Sequence, residues 1–311
     1  LQILQLEAIL YAAGDNPAIA KELVAQRIAA STAQTEKMYG FKFQLNGKEV
    51  DPNKIDDILK ENTNLKERLA AWNASKELGK ELKPGLMNLR DLRNKTVQSI
   101  GYPDYFSYQV SEYGMDADQM MVDCRNMMRD AWPLYRELHT YARYELAKKY
   151  KEKNVPDLLP AHWLPNRWGQ DWSAMVDVEG FDLDKIIKAK GDKWCVEQAE
   201  RFYVSLGFDS LPETFYQKSD LYALPLGTAY KKNTHASAWH IDLNQDVRSL
   251  MSIEPNAEWY ETTHHELGHI YYYLEYAQPN IPLVLRKGAN RAYHEAIGSM
   301  MGLAAMQKPF L

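Results

Sequence analysis

Apolar residues recur at intervals of three and four along most of the chain, which is the spacing of an amphipathic α-helix. The segments that share this spacing are residues 1–38 (broken near 14–17), 51–82, 86–100, 116–150 and 184–206. Pro133 lies inside the fourth segment, where we expect a kink. Short alternating stretches follow at Thr234–Leu243 and Asp246–Ile253 and predict a small sheet. The pattern therefore predicts a mostly helical chain with one small β element.

Five methionines in and just before the 116–150 segment are interpreted as residues that fill a hydrophobic core. They are Met115, Met120, Met121, Met127 and Met128. Residues 151–182 are rich in Pro, Trp and Asp and are expected to form an irregular connection.

Two more helices are predicted towards the end of the sequence. The first covers Trp259–Tyr276 and is ended by the prolines of residues 277–282. The second begins after Asn290, which is a suitable N-cap, and contains Glu295. A helix–loop–helix of this kind can return the second helix to the first.

The first of these helices carries the sequence His-Glu-x-x-His. His265 and His269 are four residues apart, so both rings project from one helix face and can bind one metal ion. Glu266 lies beside the remaining coordination position, where it can act as a base, and Glu295 can supply a third ligand. Two histidines, one glutamate and an open position are typical of catalytic zinc, whereas structural zinc usually has four protein ligands. The alternative is a helix whose histidines only bond to nearby carbonyl groups.

Several segments in this part of the chain resemble the metal-binding core of angiotensin-converting enzyme and its bacterial homologues. In chain order these segments are Pro160–His162, Asn166–Trp172, Ser205–Phe208, His235–Trp239, His264–His269, Leu285–Asn290 and His294–Gly298. They extend from about residue 160 to residue 298. The first 150 residues are similar to the family in their helical spacing of apolar residues more than in sequence motifs. The resemblance implies a mostly α, two-lobed metallopeptidase with a deep central cleft and a small β element near the zinc site.

The resemblance also implies how the chain is organised. Residues 1–311 would form the N-terminal portion, roughly the first half, of one catalytic domain. Residues 1–150 would supply a helical lid and lobe, and residues 151–311 the substrate-binding segments and zinc helices. In the family, groups that stabilise the tetrahedral intermediate and grip the substrate carboxylate come from the C-terminal half. That half is therefore expected as a partner of this chain.

The roles of the metal-site residues follow from the same resemblance. His265, His269 and Glu295 would hold one Zn²⁺, and Glu266 would act as general base and then as proton donor to the leaving amine. The family usually has an acidic residue four positions after the ligand glutamate, where it helps to orient a ligand histidine. This chain has Ser299 there, which supplies no negative charge and is expected to weaken zinc binding. The loop between His269 and Glu295 is also about two residues longer than in the animal enzymes.

Substrate-binding roles are implied for four further residues. His235 would donate a hydrogen bond to a substrate carbonyl, and the main chains of Ala236 and Ala238 would pair with an extended peptide. Gln170 would contribute to the pocket for the substrate's C-terminal carboxylate. Alternatively, His235 is an ordinary loop histidine and Gln170 fills a polar gap between two tryptophans. No role is assigned to His240 or His264, which are interpreted as solvated or as lying behind the ligands.

The implied activity is removal of dipeptides from the free C-terminus of short peptides. Three alternatives stay open: release of a single C-terminal residue, a thimet-type oligopeptidase, and a non-catalytic peptide-binding or scaffold protein. A thimet-type oligopeptidase would use the same zinc chemistry, but this hypothesis does not account for the segment His235–Trp239. Chloride binding is left open by these residues.

The composition of the chain indicates a globular protein and argues against nucleic-acid-binding and membrane-spanning proteins. Apolar residues make up 45% of the chain and charged residues 25%, which is typical of a globular protein with a sizeable core. The formal net charge is −5, so no basic surface predicts nucleic-acid binding. No apolar run reaches the roughly 18 residues that a membrane span requires, and the chain opens without a signal-peptide pattern. Cys124 and Cys195 are too few for a disulfide framework. The segments around His235 and the zinc helix lack the cysteines that the animal enzymes use for disulfides, so the resemblance implies a bacterial homologue, which we expect to be periplasmic or secreted.

Overall fold

The computed structural model describes residues 2–169, 172, 183–225, 228 and 232–310. The helices of this part are α1 (Gln2–Gly14), α2 (Lys21–Gly40), α3 (Pro52–Glu61), α4 (Leu65–Gln98), α5 (Tyr105–Ser111), α6 (Ala117–Lys149), α7 (Leu183–Lys190), α8 (Asp192–Ser205), α9 (Glu213–Lys218), α10 (Ala257–Tyr276) and α11 (Arg291–Ala305). The strands are β1 (Phe43–Leu45), β2 (Lys48–Val50), β3 (Asp220–Tyr222), β4 (Ser237–His240) and β5 (Val247–Ile253). The predicted mostly helical fold is confirmed.

The chain divides into two compact units. One unit is Tyr11–Glu179, and the other combines Leu1–Leu10 with Gly180–Leu311. The division at about residue 150 that the resemblance implies stays a prediction.

In the unit Tyr11–Glu179, the helix boundaries differ from those expected around residue 84. The break lies at residues 62–64, where the Asn64 side chain accepts hydrogen bonds from the backbone N–H groups of Lys66 and Glu67 and so starts α4. Helix α4 then continues through Pro84 to Gln98. A proline in a helix interior removes one backbone hydrogen bond, and here the packing of α4 against α2 outweighs that loss.

The same unit contains a β-hairpin that the pattern of apolar residues did not indicate. Strands β1 and β2 are antiparallel and are joined by Asn46 and Gly47, both of which have positive φ. Asn-Gly is the favoured pair for a tight hairpin turn because both positions require a left-handed backbone. The hairpin places Phe43 in a small core with the buried side chains of Ile55 and Leu59.

Arg68 connects three segments of this unit through backbone carbonyl groups. Its side chain is buried and donates hydrogen bonds to carbonyl oxygens of Asn62, His162, Trp163 and Leu164. Burial lowers the pKa of Arg68. These bonds hold the connection that follows α6, which in its described part contains one short 3₁₀ turn and is otherwise irregular, as predicted.

Helix α6 follows the predicted boundaries, with Asp116 accepting a hydrogen bond from the N–H of Gln119 at its start. Pro133 lies within this helix. The interpretation of its methionines as core residues is wrong for three of them, because the side chains of Met121, Met127 and Met128 are exposed. Helical spacing identifies one apolar face but not which face of a long helix is covered.

In the other unit, β5 lies between β3, to which it is parallel, and β4, to which it is antiparallel. The predicted strands within Thr234–Leu243 and Asp246–Ile253 correspond to β4 and β5. Helices α8, α10 and α11 pack together with this sheet around a core that includes Met251, Leu267 and Ile270. No helix in the described part of the chain is long and apolar enough to cross a membrane. The periplasmic or secreted location stays a prediction.

Candidate metal centre

Helix α10 presents a buried face to the core and carries the metal-binding motif beside it. The helix begins at Asn256, whose side chain accepts a hydrogen bond of 2.8 Å from the N–H of Trp259. Leu267 and Ile270 on this helix are fully buried, and the ring of Tyr271 stacks on that of Tyr203 from α8 at a centroid distance of 4.4 Å. This packing fixes the rotation of α10 about its own axis.

His264 belongs to this buried face, so its interpretation as a solvated residue is wrong. Its side chain is fully buried, and its Nδ1 atom lies 2.7 Å from the carbonyl oxygen of Tyr260. Burial lowers the pKa of His264 to about 4. The Tyr203 hydroxyl donates to the His264 backbone carbonyl over 2.6 Å. His264 therefore helps to anchor α10. The next residue on this helix, His265, lies outside its buried face and is 20% exposed.

Two glycines bring α11 against α10. A Cβ atom on Gly268 would lie 3.0 Å from the Cα atom of Gly298, and one on Gly298 would lie 3.0 Å from three ring atoms of His265. Helix α11 begins at Asn290, as predicted, because the Asn290 side chain accepts a hydrogen bond of 2.8 Å from the N–H of Tyr293. The close approach of the two helices brings Glu295 beside the histidines.

His265, His269 and Glu295 form a cluster whose candidate ligand atoms all lie within 4.8 Å of one another. The two Nε2 atoms are 3.1 Å apart, Oε2 of Glu295 lies 3.3 Å from His265 Nε2, and the other carboxylate oxygen, Oε1, lies 3.8 Å from His269 Nε2. In a tetrahedral site with bonds of about 2.0–2.2 Å, neighbouring ligand atoms are about 3.4 Å apart. The three residues therefore fit Zn²⁺ in donor chemistry, and two of the three separations, 3.1 and 3.3 Å, are close to this value.

Burial differs across the cluster. The exposed fraction of the side chain is 20% for His265, 10% for His269 and 67% for Glu295. Burial, followed by the neighbouring His265, lowers the pKa of His269 and favours the neutral ring that a metal ligand requires. The exposed Glu295 carboxylate marks the solvent side of the cluster.

Glu266 is a buried carboxyl group next to this cluster. It is 6% exposed, and its Oε2 atom has no hydrogen-bond partner among the described residues. Burial, together with the negative charges of Glu295 and Glu261, raises the pKa of Glu266 to about 7. A carboxyl group with a pKa near neutrality can both accept and return a proton at neutral pH.

His294 is a residue of this site to which the sequence reading assigned no role. Its Nδ1 atom lies 2.7 Å from Nδ1 of His269, on the side of the His269 ring opposite to the cluster. Ser299 is exposed, and among the described residues no hydrogen bond joins it to His265 or His269. The contact of His294 with His269 could have been suspected from the sequence, because His294 directly precedes the proposed ligand Glu295.

Strand β4 forms one edge of the three-stranded sheet, and its pairing with β5 decides which backbone groups stay at that edge. The N–H of Ile241 donates to the carbonyl of Asp246, and Ala238 lies opposite Ser249. By the alternation of an antiparallel ladder, the backbone groups of Ala238 point away from β5. The hydroxyl of Tyr273 on α10 donates to the Ala238 carbonyl over 3.2 Å, so this edge is attached to the helix of the metal cluster.

The other predicted substrate residues lie next to this edge or outside the described residues. Ala236 directly precedes β4, and its carbonyl oxygen lies 2.7 Å from Nδ1 of the exposed His235. Gln170 lies outside the described residues. His240 stacks on Tyr273 at a centroid distance of 5.1 Å. The substrate-binding roles of Gln170, His235, Ala236 and Ala238 stay predictions.

Comparison with known proteins agrees with this geometry. The family model described as angiotensin-converting enzyme, a peptidase family, matches residues 8–311. An angiotensin-converting enzyme of Theromyzon tessulatum is 30% identical over 274 residues, which cover 84% of this chain and 43% of that protein. The enzymes of Mesocricetus auratus and Sus scrofa are each 31% identical over 80% and 82% of this chain and 20% of their own lengths.

The chain thus spans less than half the length of these curated relatives. The family match nevertheless covers almost all of its residues, including both helices of the metal cluster. On this evidence the chain belongs to the angiotensin-converting enzyme family of peptidases.

Proposed function

We propose that this protein is a zinc-dependent peptidyl-dipeptidase, which hydrolyses short peptides near their free C-terminus and releases dipeptides. The observation that carries the proposal is the close grouping of His265, His269 and Glu295, whose candidate ligand atoms all lie within 4.8 Å of one another and are of the types that bind catalytic zinc. The names of the relatives support the same class of reaction.

Bound at this cluster, Zn²⁺ would supply a Lewis acid for the scissile carbonyl group and would acidify water. His265 and His269 contribute neutral nitrogen ligands, and Glu295 contributes one negative charge. With a fourth position open to solvent, this ligand set is typical of a catalytic rather than a structural site.

Glu266 acts as the general base in the proposed reaction. Its buried carboxyl group takes a proton from the attacking water and later gives it to the amine that leaves. A pKa raised to about 7, mainly by burial, suits both steps. At neutral pH such a carboxyl group is present in both its ionised form, which accepts a proton, and its protonated form, which donates one. General acid–base groups of this kind contribute roughly 10²–10⁴-fold to the rate.

The substrate is proposed to bind in an extended conformation along β4. The backbone N–H of Ala238 points away from β5 at the edge of the sheet, where a peptide can add as a further strand, and the Ala238 carbonyl has a second lone pair besides the one that accepts from Tyr273. The Nδ1 atom of the exposed His235 ring faces the Ala236 carbonyl and therefore donates to it, so Nε2 can donate to a substrate carbonyl only when the ring carries both protons. Gln170 is proposed to contact the terminal carboxylate.

The proposal is tested by zinc content and product identity, measured on protein expressed from the whole gene. Atomic absorption should give about one zinc per chain. A tripeptide blocked at its N-terminus should yield a dipeptide, identified by mass spectrometry, and a chelator should abolish the reaction until zinc is returned. A single amino acid as product would contradict dipeptide release, and stoichiometric peptide binding without turnover would contradict the assignment as an enzyme.

A further inference from the structure

The ring of His269 makes hydrogen-bond contacts on both of its nitrogen atoms. Nε2 lies 3.1 Å from Nε2 of His265, within the cluster, and Nδ1 lies 2.7 Å from Nδ1 of His294. His294 is on α11, one residue before Glu295, so the same helix supplies both a proposed ligand and a contact behind the opposite ligand.

A neutral imidazole carries one proton, so one of its nitrogens donates and the other accepts. If His269 binds a metal through Nε2, its proton must be on Nδ1, and Nδ1–H then donates to His294. His294 must accept at its own Nδ1 and carry its proton on Nε2. The alternative tautomer pair, in which His294 donates, would place a proton on the Nε2 atom of His269 that faces the cluster.

The surroundings of His294 hold its ring in place. The ring centroids of Tyr272 and Tyr273 each lie 4.8 Å from that of His294. A Cβ atom at Gly288 would lie only 2.8 Å from Cδ2 of His294, so a glycine there leaves room for the ring. The buried Nε2 atom of His294 has no partner among the described residues, so in that part of the chain the contact with His269 is the one hydrogen-bond contact of the His294 ring.

We propose that His294 is a positioning residue of the metal centre: it accepts the Nδ1–H of His269 and so keeps the Nε2 lone pair of His269 directed at the cluster. The inference rests on the zinc site proposed above. Hydrogen bonds to the second nitrogen of a ligand histidine commonly change metal affinity by roughly 10- to 100-fold. Ser299 makes no such bond to either ligand histidine among the described residues.

Three substitutions separate the hydrogen bond from the shape of the ring. His294→Asn keeps an acceptor near the position of Nδ1, His294→Gln moves the acceptor to the position of Nε2, and His294→Leu removes it. Competition with a chelator should give a zinc Kd within about threefold of the original for the Asn variant and about 10- to 100-fold weaker for the other two. Tyr293→Phe, on the exposed side of the same helical turn, should leave the Kd unchanged. The visible spectrum of the Co²⁺-loaded Gln and Leu variants should also change.

Equal zinc affinity in all the variants would overturn the proposal, and so would equal losses in the Asn, Gln and Leu variants, because the acceptor would then not matter. Absence of zinc binding in the unsubstituted protein would instead overturn the proposed function, and this inference with it. Thermal unfolding of the metal-free variants shows whether each one folds.

A measurement on the unsubstituted protein is independent of folding defects. In the zinc-loaded protein with ¹⁵N-labelled histidine, NMR should show His269 protonated on Nδ1 and His294 protonated on Nε2. A proton on Nδ1 of His294 would overturn the proposal.

Discussion

Replacing Gly298 by alanine tests how closely the two metal-site helices must approach. The added Cβ atom would lie 3.0 Å from Cε1, Nδ1 and Nε2 of His265. This is shorter than ordinary non-bonded contacts, so the ring or the helix must move by a few tenths of an ångström. Ligand distances in a working metal site vary by only about 0.2 Å, so a movement of this size should disturb the position of His265 as a ligand.

The expected cost follows from the same displacement. Overpacking of this size typically costs about 1–3 kcal/mol, which corresponds to a zinc Kd weaker by roughly 5- to 150-fold if the ring moves to relieve the contact. Alanine also gains up to about 1 kcal/mol over glycine in a helix interior, so the free energy of unfolding of the metal-free protein should change less than the zinc affinity. Chelator competition measures the first quantity, and denaturant unfolding measures the second.

Two other glycine-to-alanine substitutions serve as controls. Gly79 in α4 has nothing within 4 Å of an added Cβ, so Gly79→Ala should stabilise the protein slightly and leave zinc binding unchanged. Gly302 lies on α11 one turn beyond Gly298, but the three atoms nearest to an added Cβ there all belong to the flexible side chain of Glu261. The reasoning is refuted if Gly298→Ala binds zinc as tightly as the original protein, or if Gly302→Ala weakens binding equally.

Three further predictions concern other parts of the molecule. Glu266→Gln should keep zinc and lose roughly 10²–10⁴-fold in turnover, and full activity would show that Glu266 is not the base. Arg68→Met should lower the free energy of unfolding by about 3 kcal/mol, since the carbonyl groups of Asn62, His162 and Leu164 lose their hydrogen-bond donor, and a loss below about 1 kcal/mol in denaturant titrations would contradict this. Burial raises the pKa of the Cys195 thiol to about 11, so at pH 8 a thiol reagent should label one cysteine of the native chain and two after denaturation. Cys124→Ser should abolish native labelling, and rapid labelling of Cys195 would refute the burial argument.

The metal helices were predictable because their signals are local. Histidines four residues apart share a helix face in any helix, and Asn290 caps α11 through its own side chain. The hairpin turn at Asn46-Gly47 could also have been predicted from local sequence, because Asn-Gly is the favoured pair for such a turn. The periodicity of apolar residues did not indicate it.

Other features depend on contacts between segments distant in sequence. Packing of α2 along α4 carries that helix through Pro84, against the local preference of proline. The contact of His269 with His294 requires the approach of α10 and α11 at Gly268 and Gly298, which no single segment encodes. The exposed methionines of α6 show the same limit, because periodicity does not say which apolar face is covered.

A crystal structure of the zinc-loaded protein, with the metal located by anomalous scattering, tests the central claim most directly. We expect one zinc ion about 2.0–2.2 Å from Nε2 of His265, Nε2 of His269 and one carboxylate oxygen of Glu295. A zinc ion held elsewhere, or a Glu295 carboxylate turned away from an ion bound by the two histidines, would contradict it.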